Sequence, residues 1–109
     1  TKGIILNSPN NPSGVVLTKE CIKEVCAVLE KKQKEYGKEI FLIADEPYRE
    51  LVYSDVKVPY LMNYYDNTIV CYSYSKSLSL PGERIGYIAV SDKAKDWKQI
   101  YAAVCGAEP

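Results

Sequence analysis

Three short apolar runs constrain this chain more than any other feature. Gly3 to Asn7 (GIILN), Ile40 to Ala44 (IFLIA) and Thr68 to Tyr72 (TIVCY) are each about a strand long and do not alternate with charged residues. Such strands belong in a sheet covered on both faces, and sheets of that kind are mainly parallel and need helical crossovers. The stretch between the first two supplies a crossover. From Thr18 to Tyr36 the apolar residues Ile22, Val25, Cys26, Leu29 and Tyr36 fall at helical spacing, with lysines and glutamates on the other side. Thr18 suits the N-cap and Gly37 the C-cap. A fourth run, Ile85 to Val90 (IGYIAV), follows the third after roughly ten residues. Parallel crossovers usually need a dozen residues or more, so this pair is expected to be antiparallel. Asp92 to Val104 reads as a helix with Ala94, Trp97, Tyr101 and Val104 on one side. Residues 49–67 read as irregular and tyrosine-rich (Tyr53, Tyr60, Tyr64, Tyr65). The expected class is α/β, with a mixed, mostly parallel sheet flanked by helices.

Composition removes several function classes. Lys+Arg and Asp+Glu balance at 14 each, which leaves no basic field for nucleic acid and no polybasic segment for an anionic membrane. No apolar run nears the roughly 20 residues that span a bilayer, and the opening TKGIILNS has no signal-peptide layout. The absence of histidine removes Ser-His and Cys-His catalysis. Cys21, Cys26, Cys71 and Cys105 form no CxxC pair, so they read as reduced packing residues of a cytoplasmic protein and not as a metal site. The chain begins almost on a strand, without a start methionine, and stops on Gly106-Ala107-Glu108-Pro109. We therefore expect residues 1–109 to be part of something larger.

Polar residues cluster where they matter most. In open α/β sheets, ligands bind beyond the carboxyl ends of the strands. The first run ends in Asn7 and the turn Asn10-Asn11-Pro12-Ser13-Gly14. The second runs into Asp45, with Tyr48 shortly after, and the third into Ser73, Ser75 and Lys76. Neighbouring strands would bring these groups to one crevice. A carboxylate there wants a cationic partner. Ser73, Ser75 and Arg84 form a donor set for a phosphate. Asn11 and Tyr48 can hydrogen-bond an oxygen, and Lys76 can form a Schiff base. An aldehyde-bearing, phosphorylated, protonated pyridine meets all of these demands, and pyridoxal 5′-phosphate is that compound.

The stretches N-P-S-G (Asn11 to Gly14), D-E-P-Y (Asp45 to Tyr48) and S-Y-S-K-S-L-S-L-P-G-E-R-I-G (Ser73 to Gly86) resemble those of class I/II aminotransferases. These are fold-type-I pyridoxal-phosphate enzymes of the aspartate aminotransferase kind. The resemblance covers nearly the whole chain and implies a part of the cofactor-binding large domain, with the substrate-binding small domain absent. It implies that Lys76 carries the Schiff base and moves a proton, and that Asp45 pairs with the ring nitrogen. Tyr48 and Asn11 would hold the ring oxygen, and Ser73 and Arg84 the phosphate, with Ser75 assisting. Arg84 stands eight residues after Lys76, the family's spacing. Ser77 and Ser79 are assigned to the loop.

The resemblance further implies amino acid and 2-oxo acid substrates, and a homodimer for the whole protein. It also implies that this segment alone would not transaminate efficiently. The same motifs serve lyases and synthases, and non-catalytic regulatory domains that bind the cofactor. Ser73-Tyr74-Ser75-Lys76 also matches the S-x-x-K of serine–lysine hydrolases. The companion S-D-N and K-T-G are missing, and the match is expected to end a strand instead of opening a helix.

Overall fold

In the computed structural model, which describes residues 1–107, four strands form one sheet in the order β1-β2-β3-β4. The strands are β1 (Gly3–Asn7), β2 (Phe41–Asp45), β3 (Thr68–Ser73) and β4 (Gly86–Val90). The first three are parallel, and β4 runs antiparallel to β3, as expected. Glu108 and Pro109, which end the chain, lie outside the described residues.

Helix α1 (Lys19–Tyr36) makes the crossover from β1 to β2. The Thr18 side chain accepts from the Cys21 N–H at 3.1 Å, and Gly37 takes the left-handed conformation at φ +60°. Both ends are therefore closed by the local chemistry of those two residues. Ile22, Cys26 and Leu29 project from α1 into a core with Leu42, Ala44, Val70, Leu61 and Tyr65. Leu42 is fully buried, and each such aliphatic side chain contributes about 1.5–3 kcal/mol through burial. Tyr36, expected on this stripe, is exposed at the last turn, where its ring meets the Lys32 ammonium at 5.4 Å.

The strands do not bury both faces equally among the described residues. In β2 and β3 burial alternates, with Leu42, Ala44, Thr68, Val70 and Tyr72 inside and Ile43, Ile69 and Cys71 only half-buried. Ile5 of β1 is 68% exposed. The reason is geometric. The core helix α1 packs on one side, and β1 is an edge strand.

The C-terminal helix also departs from expectation. Helix α3 spans Trp97–Ala107 and does not start at Asp92. Residues 92–96 form turns held by Ser91: its hydroxyl accepts from Lys93 N–H at 3.2 Å and its carbonyl from Ala94 N–H at 3.1 Å. A serine that bonds its own following backbone offers an alternative to the helix. Asp96, at φ +56°, then breaks the path before Trp97. The Trp97 and Tyr101 side chains are exposed, and α3 buries no residue among those described.

Candidate functional site

The parallel register sets Asn7 beside Asp45 and Asp45 beside Cys71, so the carboxyl ends of β1, β2 and β3 open on one edge. Asn7 ties the first of these ends to the second. Its amide donates to the Asp45 carbonyl at 3.0 Å, while its Oδ1 accepts from the Asn11 N–H at 2.9 Å. Asn10 shapes the following turn. Its carbonyl accepts from Gly14 N–H at 2.8 Å and its Oδ1 from the Ser13 hydroxyl at 2.7 Å. Gly14 sits at φ +71°, which favours glycine. The turn delivers Asn11 to the crevice, where its Nδ2 donates to the Tyr48 hydroxyl at 3.0 Å.

Asp45 is the last residue of β2 and is half-buried. Among the described residues its carboxylate has no hydrogen-bonding or ion-pairing partner. Burial pushes the Cys71 thiol up, and the negative charge of Asp45 adds to the effect.

Glu46 follows and points the other way. It is 2% exposed and takes a two-pronged grip from Arg49, Nε to Oε2 at 2.9 Å and Nη2 to Oε1 at 3.2 Å. Arg49 also donates to the carbonyls of Val58 at 3.2 Å and Pro59 at 3.1 Å, and lies over the Tyr60 ring. Tyr48 is therefore held on a turn whose far side is clamped.

Ser73 ends β3 and at once caps the short helix α2 (Tyr74–Ser77). Its Oγ accepts from Ser75 N–H at 3.1 Å and donates to Ser75 Oγ at 2.7 Å. The S-x-x-K match thus ends a strand and also opens a helical turn. This removes one of the two objections to a serine–lysine hydrolase and leaves the missing companion motifs. Lys76 is exposed on α2, and among the described residues its ammonium makes no ion pair. The chain returns through a single 3₁₀ turn at residues 81–83 and reaches Arg84 in the left-handed conformation, φ +54°. Arg84 Nη1 donates to the Pro81 carbonyl at 3.0 Å. Ser73, Ser75, Arg84, Ile85 and Gly86 line a shallow cavity of about 180 Å³. Gly86 is required where it is, because a Cβ there would collide with the Tyr72 carbonyl.

All seven residues singled out from sequence (Asn11, Asp45, Tyr48, Ser73, Ser75, Lys76 and Arg84) thus stand at strand ends or on the turns and the short helix α2 that follow them. Two clusters are in direct contact: Asn11 with Tyr48, and Ser73 with Ser75 at the Arg84 cavity. Three supporting residues escaped the sequence reading of roles. Asn7 and the pair Glu46–Arg49 position the others, and the opposite charges three apart in E-P-Y-R were the signal for that pair. No helix among the described residues is long and apolar enough to cross a membrane.

The family described as aminotransferase class I and II matches residues 1–105. An aspartate aminotransferase of Pyrococcus horikoshii is 35% identical over 97% of this chain and 26% of its own length. An aromatic-amino-acid aminotransferase of Thermococcus litoralis is 30% identical over 96% of this chain and 27% of its own. The crystal structure of an aminotransferase from Eubacterium rectale superposes with a TM-score of 0.95 at 65% identity, covering 98% of this chain and 27% of that one. The chain therefore spans about a quarter of the length of the relatives it matches.

Proposed function

The chain belongs to the class I and II aminotransferases, and from that premise we propose that it is part of the cofactor-binding large domain of a pyridoxal-phosphate-dependent aminotransferase. The whole protein would move an amino group between an amino acid and a 2-oxo acid. The observation that supports this most is the shared edge of three parallel strands. It brings a lysine, a carboxylate, an amide–phenol pair and a hydroxyl–guanidinium cavity to one side of one sheet.

The residues present suit the cofactor chemically. Two hydroxyls and a guanidinium around a small cavity are donors for a phosphate. A half-buried carboxylate, Asp45, without a partner among the described residues, suits a protonated ring nitrogen. The Asn11 amide and Tyr48 hydroxyl, already bonded to each other, suit a ring oxygen. When bound, pyridoxal 5′-phosphate supplies an aldehyde for amine exchange and a ring that withdraws electrons from the substrate α-carbon.

The protein's own part is then binding, orientation and proton movement. Lys76 Nζ would be the amine that holds the cofactor through its aldehyde, and the same amine would hold and move the proton of the substrate α-carbon. Asp45 would keep the ring nitrogen protonated by its charge, and Ser73, Ser75 and Arg84 would hold the phosphate end. We further take the whole protein to be a cytoplasmic homodimer, and residues 1–109 alone to be inactive in transamination.

Borohydride reduction of the whole enzyme with pyridoxal 5′-phosphate, followed by peptide mass mapping, tests the reading. The label is expected on the peptide carrying Lys76. Lys76→Ala should abolish it and lower turnover by about 10²–10⁴-fold. A label on another lysine, or unchanged turnover in Lys76→Ala, overturns the assignment.

A further inference from the structure

The turn that carries Lys76 has little of its own to hold it. Helix α2 is four residues long, and a single helical turn does not persist in water because its nucleation is unfavourable. The backbone bonds that follow it are long, Leu78 N–H to the Tyr74 carbonyl at 3.3 Å and Ser79 N–H to the Lys76 carbonyl at 3.4 Å. Side chains compensate on both flanks of Lys76. On the N-terminal flank, Ser75 is tied to Ser73 through two hydrogen bonds. On the C-terminal flank, Ser77 Oγ accepts from the Tyr72 hydroxyl at 2.7 Å.

Tyr72 is a firm base for that second tie. It lies in β3 and is 8% exposed. Its ring stacks on Tyr87, its partner across the β3–β4 ladder, with centroids 5.0 Å apart. Tyr74 meets the same ring edge-on at 5.2 Å. Aromatic contacts of this kind add stability beyond burial and fix ring orientation. The phenol oxygen is thus held by the sheet, and Ser77 is held by the phenol.

We propose that Tyr72 is a positioning residue for Lys76, acting through Ser77 to fix the backbone on the C-terminal side of the lysine. The proposal rests on the role assigned to Lys76 above. It gives a purpose to Ser77, which the sequence assigns only to the loop. Without the Tyr72 hydroxyl, the turn keeps its N-terminal tie but loses the other, and the backbone that carries Lys76 is held on one flank only. A misplacement of about 1 Å in a reacting group costs up to about 10²-fold in rate.

The test uses the whole enzyme loaded with pyridoxal 5′-phosphate and the variants Tyr72→Phe, Ser77→Ala and the double variant. Each single change is expected to lower kcat by about 10-fold to 100-fold, with KM little altered. The double variant should be no slower than the slower single, because both remove one hydrogen bond. The pH at which the absorbance of the bound cofactor changes should also move in Tyr72→Phe, a readout that general loss of stability does not shift. Multiplied losses in the double variant overturn the proposal. So do an unchanged kcat and an unchanged absorbance titration in Tyr72→Phe while borohydride still labels Lys76. Failure to label Lys76 in the unsubstituted enzyme overturns the underlying assignment, and the proposal with it.

Discussion

Arg49→Ala should destabilise the whole protein by about 3 kcal/mol or somewhat more. The figure follows from what the substitution strands. Glu46 is almost wholly buried and takes both of its charge-assisted bonds from Arg49. Removing the cation leaves a buried carboxylate unpaired, which typically costs about 3–5 kcal/mol. The Val58 and Pro59 carbonyls lose their donors as well. The Arg49 side chain is 26% exposed, so water can enter the vacated space, which favours the lower end of the range. Equilibrium urea unfolding followed by far-ultraviolet circular dichroism measures the loss. Adding Glu46→Gln to Arg49→Ala removes the stranded charge and should recover about 1–2 kcal/mol. An Arg49→Ala variant within about 1 kcal/mol of the unsubstituted protein, the range of an exposed pair, would refute the reasoning. So would a double variant less stable than the single.

Two further outcomes are expected. Gly86→Ala drives a methyl group into the Tyr72 carbonyl and should cost about 1–3 kcal/mol, and by shifting the β3–β4 ladder it should weaken retention of pyridoxal 5′-phosphate, measured by dialysis. Full stability and full retention would count against the cavity as described. Burial, with Glu30 and Glu39 adding, pushes the Tyr65 phenol above its ordinary value of 10.0. The folded chain therefore keeps a proton that the unfolded chain releases, so stability is intact below about pH 10 and falls as pH rises past it. Tyr65→Phe should flatten that alkaline fall, while costing about 1 kcal/mol at pH 7 for the lost bond to the Ile40 carbonyl. Urea midpoints between neutral and alkaline pH check it, and an unchanged alkaline slope contradicts it.

What could be read from sequence was what local chemistry decides. Thr18 and Gly37 close α1 because a hydroxyl and a missing Cβ act within a few residues of themselves. The antiparallel β4 was expected from the length of its connection to β3. The placement of Asp45 and Ser73 at strand ends, with Lys76 just beyond, followed from where apolar runs stop. What escaped depends on contacts distant in sequence or on side-chain direction. Arg49 binds carbonyls nine and ten residues away, which no spacing rule encodes. Asp96 interrupts an otherwise regular helical pattern by backbone conformation. The Tyr72 hydroxyl finds Ser77 only because the chain turns from strand to helix between them. The exposure of Ile5 reflects what packs beside β1, which its own letters do not specify.

The return from Lys76 to β4 has a consequence for how the site tolerates change. Ser73 pairs with Gly86, and Tyr74 N–H donates to the Ile85 carbonyl at 3.1 Å, so the excursion between them is closed at its neck. Lys76 and Arg84 both leave from that one closed hairpin. Drift elsewhere in the sheet would carry them together, and under the proposed roles this would keep the groups that hold the two ends of the cofactor at a constant separation. Tolerance should therefore differ sharply along the hairpin. Extra residues near Ser79, which already sits at φ +54°, enlarge a loop whose closure cost grows only slowly with length. A single extra residue at the neck would turn Ser73 or Gly86 to the opposite face of the sheet. Natural variation in loop length is expected at the tip and not at the neck.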